Sequence, residues 1–340
     1  MSPSLAEPIQ DSLAGLEGSD PGAPRRRADR APLLSVLVTA HQRREFLPEA
    51  LRSIERQDLP SDQYEVVVVK DYADAAIDLQ IEELGGRTVP VEGDNMGGIM
   101  ALGIRACRGD VICFLDDDDR FAPHKLRVVR DEFLRFPDLG YLHNGLTLID
   151  EGGNHLDGLS PEYRDRAERM SRDPDFCSSC ISIRSDFFRP LVVRWSEVRR
   201  APDTLLDYVA RAAGFTRRSS TEPLTEYRIH PSSNSRRTNH APAYFAIAQV
   251  LRALPASPSR DSAVSSLLGR YMSAAIRGRS SDRRSAVWAA LHLAAGVRLN
   301  EVRPNAREIA CGALIPLSPG AARRIYQTLC GGQVEWLPQA

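Results

Sequence analysis

Three stretches between residues 33 and 115 are apolar almost without interruption: LLSVLVTA (33–40), the centre of YEVVVVK (64–70), and DVICFL (110–115). Each has the length of a strand and none alternates apolar with polar, so each is expected to be buried on both faces. Between them, REFLPEALRSIERQ (44–57) places Phe46, Leu47, Ala50, Leu51 and Ile54 on one helical face. A short helical stretch near 75–84, an extended TVPVEG, and a glycine-opened helix in MGGIMALGIRACRG follow. Strands alternating with helices at this spacing predict an α/β domain with a mainly parallel, Rossmann-like sheet covered on both faces. In such sheets ligands bind beyond the carboxyl ends of the strands.

The last of those runs ends in Asp116, Asp117, Asp118 and Asp119. Adjacent carboxylates ~4 Å apart repel by about 1 kcal/mol in water and by more where the dielectric falls, so a positive partner is expected. A hard divalent cation, Mg²⁺ or Mn²⁺, suits the place, since it takes a few oxygen ligands and completes its shell with water and phosphate. If the chain stays extended, Asp116 and Asp118 project alike and Asp117 projects the other way. A plainer reading stays open, in which this is an acidic turn capping a helix that begins near Pro123, although a cap needs only one aspartate. Ala40, His41, Lys70 and Asp71 fall at the other strand ends.

Four segments in order, SVLVTAHQRREFLPEAL, EVVVVKDY, GDNMGG and RGDVICFLDDDDRF, resemble the nucleotide-binding half of the family 2 glycosyltransferases, which have the GT-A fold. The resemblance implies that Ala40, His41, Arg43, Asp71, Asn95, Gly97, Asp116 and Asp117 line the nucleotide. It also implies that Asp116 and Asp118 are the metal-binding pair of the Asp-x-Asp signature. It extends more loosely to about residue 237. LTLIDEGGNHL (146–156) resembles the hairpin after that signature, and SSCISIRSDFF (178–188) the strand before the acceptor region. APDTLLDYVARAAG (201–214) resembles the helix whose opening Glu-Asp supplies the catalytic base. That places Asp203 as the base, kept ionised by backbone N–H groups and the helix dipole. YRIHPSSNS (227–235) is similar to a Tyr-Arg-x-His-x-x-Ser element whose histidine completes the metal shell, which adds His230 to the ligands.

There are departures. Thr39, Ala40, His41 and Gln42 replace the usual Pro-Thr-Tyr-Asn, and Lys70 stands where an aspartate is common, leaving Asp71 to meet the imide N–H of the base. Lys70 is open to two readings, a point charge along the diphosphate or a solvated strand end. Read without the resemblance, Asp203 is an ordinary N-cap, Asp71 a cap and His230 a loop histidine.

The function implied is metal-dependent transfer of a sugar from a nucleotide-diphosphate donor to an acceptor hydroxyl; single displacement would invert the anomeric centre, and retention stays open as the alternative. UDP-sugars are favoured over GDP- or dTDP-sugars, and the setting is polysaccharide, envelope or secondary-metabolite glycoconjugate synthesis. Two alternatives are a degenerate, non-catalytic GT-A nucleotide-binding module and a sugar nucleotidyltransferase. The second lacks support, because TAHQRREF has no glycine-rich, arginine-bearing loop to cradle a triphosphate.

The rest of the chain frames this domain. Lys+Arg number 44 against Asp+Glu 45, which argues against nucleic acid as a partner. Residues 1–31 read as a disordered tail, 32–237 as the GT-A domain with its nucleotide-binding half at 32–125 and acceptor half at 126–237, and 238–340 as an all-helical C-terminal extension. The best membrane-span candidate, SAVWAALHLAAGV (285–297), is too short and carries His292. Arginines beside IACGALIPL and AARRIYQTL suit peripheral contact with an anionic membrane, while helices that seal the domain or form a homodimer contact are the plainer reading. A cytoplasmic setting is expected, with peripheral contact at the inner membrane face as the alternative. The C-x-x-C of Cys177 and Cys180 is read as small packed thiols, since no second Cys or His pair stands at zinc-ligand spacing.

Overall fold

The computed structural model describes residues 33–41, 44–156, 160–231 and 241–276. Among these described residues, those up to Ala210 with those from Phe215 to residue 231 make one compact unit, and Arg211–Gly214 with residues 241–276 make a second.

The first unit is built on an eight-stranded sheet. Strands β1 (Leu34–Ala40), β2 (Tyr64–Lys70), β3 (Arg87–Pro90) and β4 (Val111–Asp116) are its parallel half, in the order β3-β2-β1-β4. Helices α1 (Leu47–Glu55), α2 (Ala75–Glu83) and α3 (Met96–Ala106) connect them. Every residue of β1 is buried, because helices cover both faces of the sheet. On one face Val36, Val38, Val66, Val68, Cys113 and Leu115 pack with Leu47, Leu51 and Ile54 of α1. On the other, a Cβ on Gly103 of α3 would come within 2.6 Å of Leu37. Both faces are therefore apolar, which is why the sequence shows continuous runs and no alternation.

Beyond β4 the topology changes. After the two-residue β5 (Arg120–Phe121) and α4 (Lys125–Arg135) comes the long β6 (Leu139–Ile149), then α5 (Pro161–Ser171) and the short β7 (Ile181–Arg184). β7 inserts antiparallel between β4 and β6. Helix α6 (Pro202–Ala212) leads to β8 (Thr216–Arg228), which pairs parallel with β6 and antiparallel with β5. The resulting order is β3-β2-β1-β4-β7-β6-β8-β5. The expected hairpin at 146–156 is a bridge between Ile149 and His155, with Asp150 accepting the Asn154 N–H at 2.8 Å.

Strand β8 has no counterpart in the sequence reading. Its segment TRRSSTEP is mostly exposed and lacks an apolar face. The pairing also slips, from His143 opposite Ser219 to Gly145 opposite Pro223. A proline is tolerated at such an irregularity because no ladder donor is needed there. Gly145 is required opposite it, since a Cβ would lie 2.3 Å from the Thr221 carbonyl oxygen.

In the second unit, α7 (Ala241–Arg252) and α8 (Pro258–Ile276) pack on one another, with the rings of Phe245 and Tyr271 5.2 Å apart. Among the described residues no helix is long and apolar enough to cross a membrane. The expected tail at 1–31 and the stretches SAVWAALHLAAGV, IACGALIPL and AARRIYQTL lie outside the described residues.

Candidate active site

The carboxyl ends of β1, β2 and β4 end in register. Thr39 stands opposite Asp116, and Ala40 opposite Lys70. Their side chains and amides interlock. Thr39 Oγ1 donates to Asp116 Oδ1 at 3.0 Å, and the His41 N–H donates to Asp117 Oδ2 at 3.1 Å. His41 Nδ1 lies 2.6 Å from Asp71 Oδ2, off the line a hydrogen bond would take. Ala40, His41, Asp71, Asp116 and Asp117 are thus brought together, while Arg43 lies outside the described residues. Next to Asp71, a cleft of about 730 Å³ opens at the ends of β2 and β3, lined also by Tyr72, Thr88 and Val91. Burial, and then the Asp117 charge, push the Tyr72 hydroxyl up to about 12.

Lys70 is neither a solvated strand end nor a free cation for a diphosphate. It is buried, with Nζ 2.9 Å from Asp78 Oδ1 and 2.9 Å from the Tyr72 carbonyl oxygen.

The four aspartates do not stay extended: the chain turns after Asp116, with the Asp119 N–H donating to the Asp116 carbonyl at 3.2 Å, and Asp117 and Asp119 are buried while Asp116 and Asp118 are partly open. Asp119 accepts from Ser179 Oγ (2.6 Å) and from the Arg228 N–H (3.0 Å). Burial first, and then the charges of Asp118 and Asp116, raise its carboxyl well above the usual range. The Ser179 hydroxyl accepts in turn from the Asp116 N–H at 2.9 Å, so one serine ties the two ends of the acidic run together.

Asp118 Oδ2 and His230 Nε2 lie 2.9 Å apart, with the His230 ring buried and the Asp118 side chain 13% exposed. The two are hydrogen-bonded to each other, and the same spacing is close to the ~3 Å between neighbouring ligands of an octahedral ion with bonds of about 2.0–2.1 Å. The expected three-donor set with Asp116 is not gathered, and among the described residues no group of three or more His, Cys, Asp or Glu side chains is placed to hold a metal. The residues present fit a cation held by two protein donors that draws its other ligands from water and phosphate, as Mg²⁺ commonly does.

Asn95 and Gly97 have another use. The Asn95 side chain caps α3 by accepting the Gly98 N–H at 3.1 Å and donates to the Ser196 carbonyl. The Met96 and Gly97 N–H groups donate to the Arg199 and Val198 carbonyls. The polar groups at the start of α3 are therefore engaged with the segment at 196–199, and Gly97 allows that close approach.

Asp203 sits in the first turn of α6 and accepts N–H bonds from Thr204 (2.8 Å) and Cys177 (3.2 Å). The expectation that the helix start and its N–H bonds dominate this carboxyl is corrected. Burial outweighs those bonds and pushes its carboxyl up to about 6. Sequence reasoning did not find the residues that join the two carboxylate centres. The Cys177 thiol donates to Asp119 Oδ2 at 3.5 Å, and Ser179 holds Asp119 and Asp116. The signal was present in SSC at 178–180, directly before a strand, but only spatial contact gives it meaning.

Residues 35–191 match the family model described as glycosyl transferase family 2. An uncharacterized glycosyltransferase of Haemophilus influenzae is 24% identical over 209 residues, 60% of this chain and 70% of that protein. Among solved structures, S. aureus TarS 1-349 in complex with UDP-GlcNAc superposes with a TM-score of 0.63 at 15% identity, over 88% of this chain and 92% of that one. A mannosyltransferase from Pyrobaculum calidifontis, in complex with GDP-Man and Mn²⁺, gives 0.50 at 14% identity, over 92% and 94%. The structural likeness establishes the GT-A fold.

Proposed function

Through residues 35–191 the chain belongs to glycosyl transferase family 2, and on that premise we propose that it transfers a sugar from a nucleoside-diphosphate donor to an acceptor hydroxyl, with Asp203 as general base. The observation that carries the reading is the short bridge Asp119–Cys177–Asp203, which places a partly buried carboxylate of raised pKa beside the acidic end of β4. A base needs to be ionised at working pH yet basic enough to accept a proton, and a carboxyl near 6 meets both demands.

Asp71, His41 and the cleft beside Tyr72 receive the nucleobase, while Ala40, Asp116 and Asp117 shape the floor under the nucleotide. Asp118 and His230 hold a divalent cation, which when bound offsets the charge of the departing diphosphate. Mn²⁺ is favoured because the Pyrobaculum relative of the same fold is complexed with it. The acceptor hydroxyl gives its proton to Asp203 as it attacks the anomeric carbon from the face opposite the diphosphate, which inverts that centre. UDP is the favoured nucleotide, in keeping with the UDP-GlcNAc complex of TarS, and glycoconjugate synthesis is the favoured setting.

The test is a thermal melt of wild type and Asp118→Ala with UDP, GDP, CDP, dTDP or ADP, each with and without Mn²⁺. A ligand at 100 times its Kd stabilises by about 2.7 kcal/mol, a shift of several degrees. One nucleotide is expected to shift wild type in a manner that needs both Mn²⁺ and Asp118. No shift with any of the five would sink the donor site.

A further inference from the structure

Arg228 is a buried charged side chain beside the acidic end of β4. Its guanidinium is fully enclosed, which costs several kcal/mol unless every donor is met by a good partner. The partners are specific. Nη2 meets Glu49 Oε2 at 2.6 Å, Nη1 the Glu151 carbonyl at 2.8 Å and the Asp150 carbonyl at 3.3 Å, and Nε the Asp118 carbonyl at 2.8 Å. Its own N–H donates to Asp119 Oδ1, and its plane covers the Phe46 ring at 4.7 Å.

Two of these contacts reach both members of one pair. The Nε bond fixes the backbone of Asp118. His230 lies two residues beyond Arg228 on the same strand end, and its ring rests against the same Phe46, with centroids 4.9 Å apart. Between them, one guanidinium and one aromatic ring thus contact both Asp118 and His230. An apolar residue would fill this space without the cost of burying a charge, so stability alone does not account for an arginine here. A planar fork that spans three carbonyls and a carboxylate does what a lysine ammonium cannot.

We infer that Arg228, with Glu49 as its counter-charge, is a positioning residue that holds Asp118 and His230 at the separation a divalent cation requires. The inference rests on the proposed reading of that pair as the cation site. Partners of this kind, outside the ligands themselves, change metal affinity by about 10–100-fold when altered.

The experiment is an EPR titration of Mn²⁺ on the full chain, with the nucleotide selected by the melting panel present, alongside metal-free binding of that nucleotide. Arg228→Lys is expected to weaken Mn²⁺ by about tenfold or more and leave metal-free nucleotide binding unchanged. Glu49→Gln, which serves if Arg228→Lys does not fold, is expected to weaken Mn²⁺ by at least about threefold, as a smaller version of the same effect. Arg120→Met removes a different partner of Glu49 and is expected to leave Mn²⁺ affinity as in wild type. Wild-type Mn²⁺ affinity in folded Arg228→Lys or Glu49→Gln would overturn the inference, as would an equal loss in Arg120→Met, which would show general loosening. Wild type that binds no Mn²⁺ would overturn the cation site and this inference together.

Discussion

The backbone N–H of Cys177 donates to Oδ2 of Asp203 at 3.2 Å, from a residue held at φ +63°. A non-glycine residue in the left-handed region costs of order 1–3 kcal/mol and persists only where its surroundings enforce it. Here the enforcement comes from both ends, since the same residue's thiol is bound to Asp119. The turn that leads into β7 is therefore what relates Asp203 to the acidic end of β4.

If Asp203 is the base, its protonation sets the acid limb of the rate profile. The ionised form is the active one, and its carboxyl stands near 6 against an ordinary value of about 3.9. Below pH 6, kcat/KM should fall about tenfold per unit, two units earlier than an unperturbed aspartate would allow. Asp203→Asn should lose at least about 10²-fold in turnover and keep the nucleotide-dependent melting shift. A flat profile between pH 5 and 7, or an active Asp203→Asn, would remove Asp203 from that role.

Substitutions at Cys177 separate the backbone contact from the thiol. Cys177→Gly keeps the N–H to Asp203 and suits the positive φ, so it should melt within a few degrees of wild type and retain most activity. Cys177→Val puts a β-branched side chain in a region such residues avoid, and should lose about 1–3 kcal/mol together with turnover. Circular dichroism melts and single-turnover rates read both. Equal behaviour of the two variants would show that the conformation at 177 does not matter.

How much of this was legible depended on where the information resides. The parallel half of the sheet could be read because burial on both faces leaves LSVLVTA and EVVVV with few polar residues. Asp118 and His230 were found through motif likeness and prove to be neighbours 2.9 Å apart. Strand β8 could not be read, because its first eight residues carry exposed polar side chains and its register slips at Pro223. The fates of Lys70, Asn95 and Gly97 were hidden for a shared reason. Each is satisfied by a partner far along the chain or across a loop, and spacing alone cannot distinguish a group engaged with its own fold from one free for a ligand. The pKa of Asp203 escaped for the related reason that helix position is local and burial is not.

Gly97 makes a sharper stability prediction than any glycine of a turn. A Cβ there would stand 2.1 Å from the Trp195 carbonyl oxygen and 2.4 Å from that of Val198, both backbone atoms that cannot swing away. Gly97→Ala should therefore destabilise by about 1–3 kcal/mol or more and weaken the hydrogen bond from the Gly97 N–H to the Val198 carbonyl. Gly98 one residue on has no neighbour closer than 3.6 Å, and Gly98→Ala should be near neutral or stabilising. Urea melts of the two variants decide it, and similar midpoints would contradict the close docking of α3 on the segment at 195–198.

The Lys70–Asp78 pair predicts an asymmetry. The Lys70 side chain is 2% exposed and that of Asp78 37%, so removing the carboxylate strands a buried ammonium, while removing the lysine leaves a carboxylate that water can reach. Asp78→Ala should therefore cost about 1–3 kcal/mol, less than a fully buried pair because one partner is already wet, and Lys70→Met should cost less. Lys70 also holds the Asp78 carboxyl below the usual range, so the pair's contribution is present above about pH 4 and is lost as pH falls through the depressed value. Melting both variants against wild type at pH 7 and pH 3 tests the argument. The gap between Asp78→Ala and wild type should be smaller at pH 3 than at pH 7, because at pH 3 the unfolded-state carboxylate is already largely protonated. If Lys70→Met proves the costlier change at pH 7, the lysine contributes mainly through the Tyr72 carbonyl and the floor of the cleft, and the ion pair is secondary.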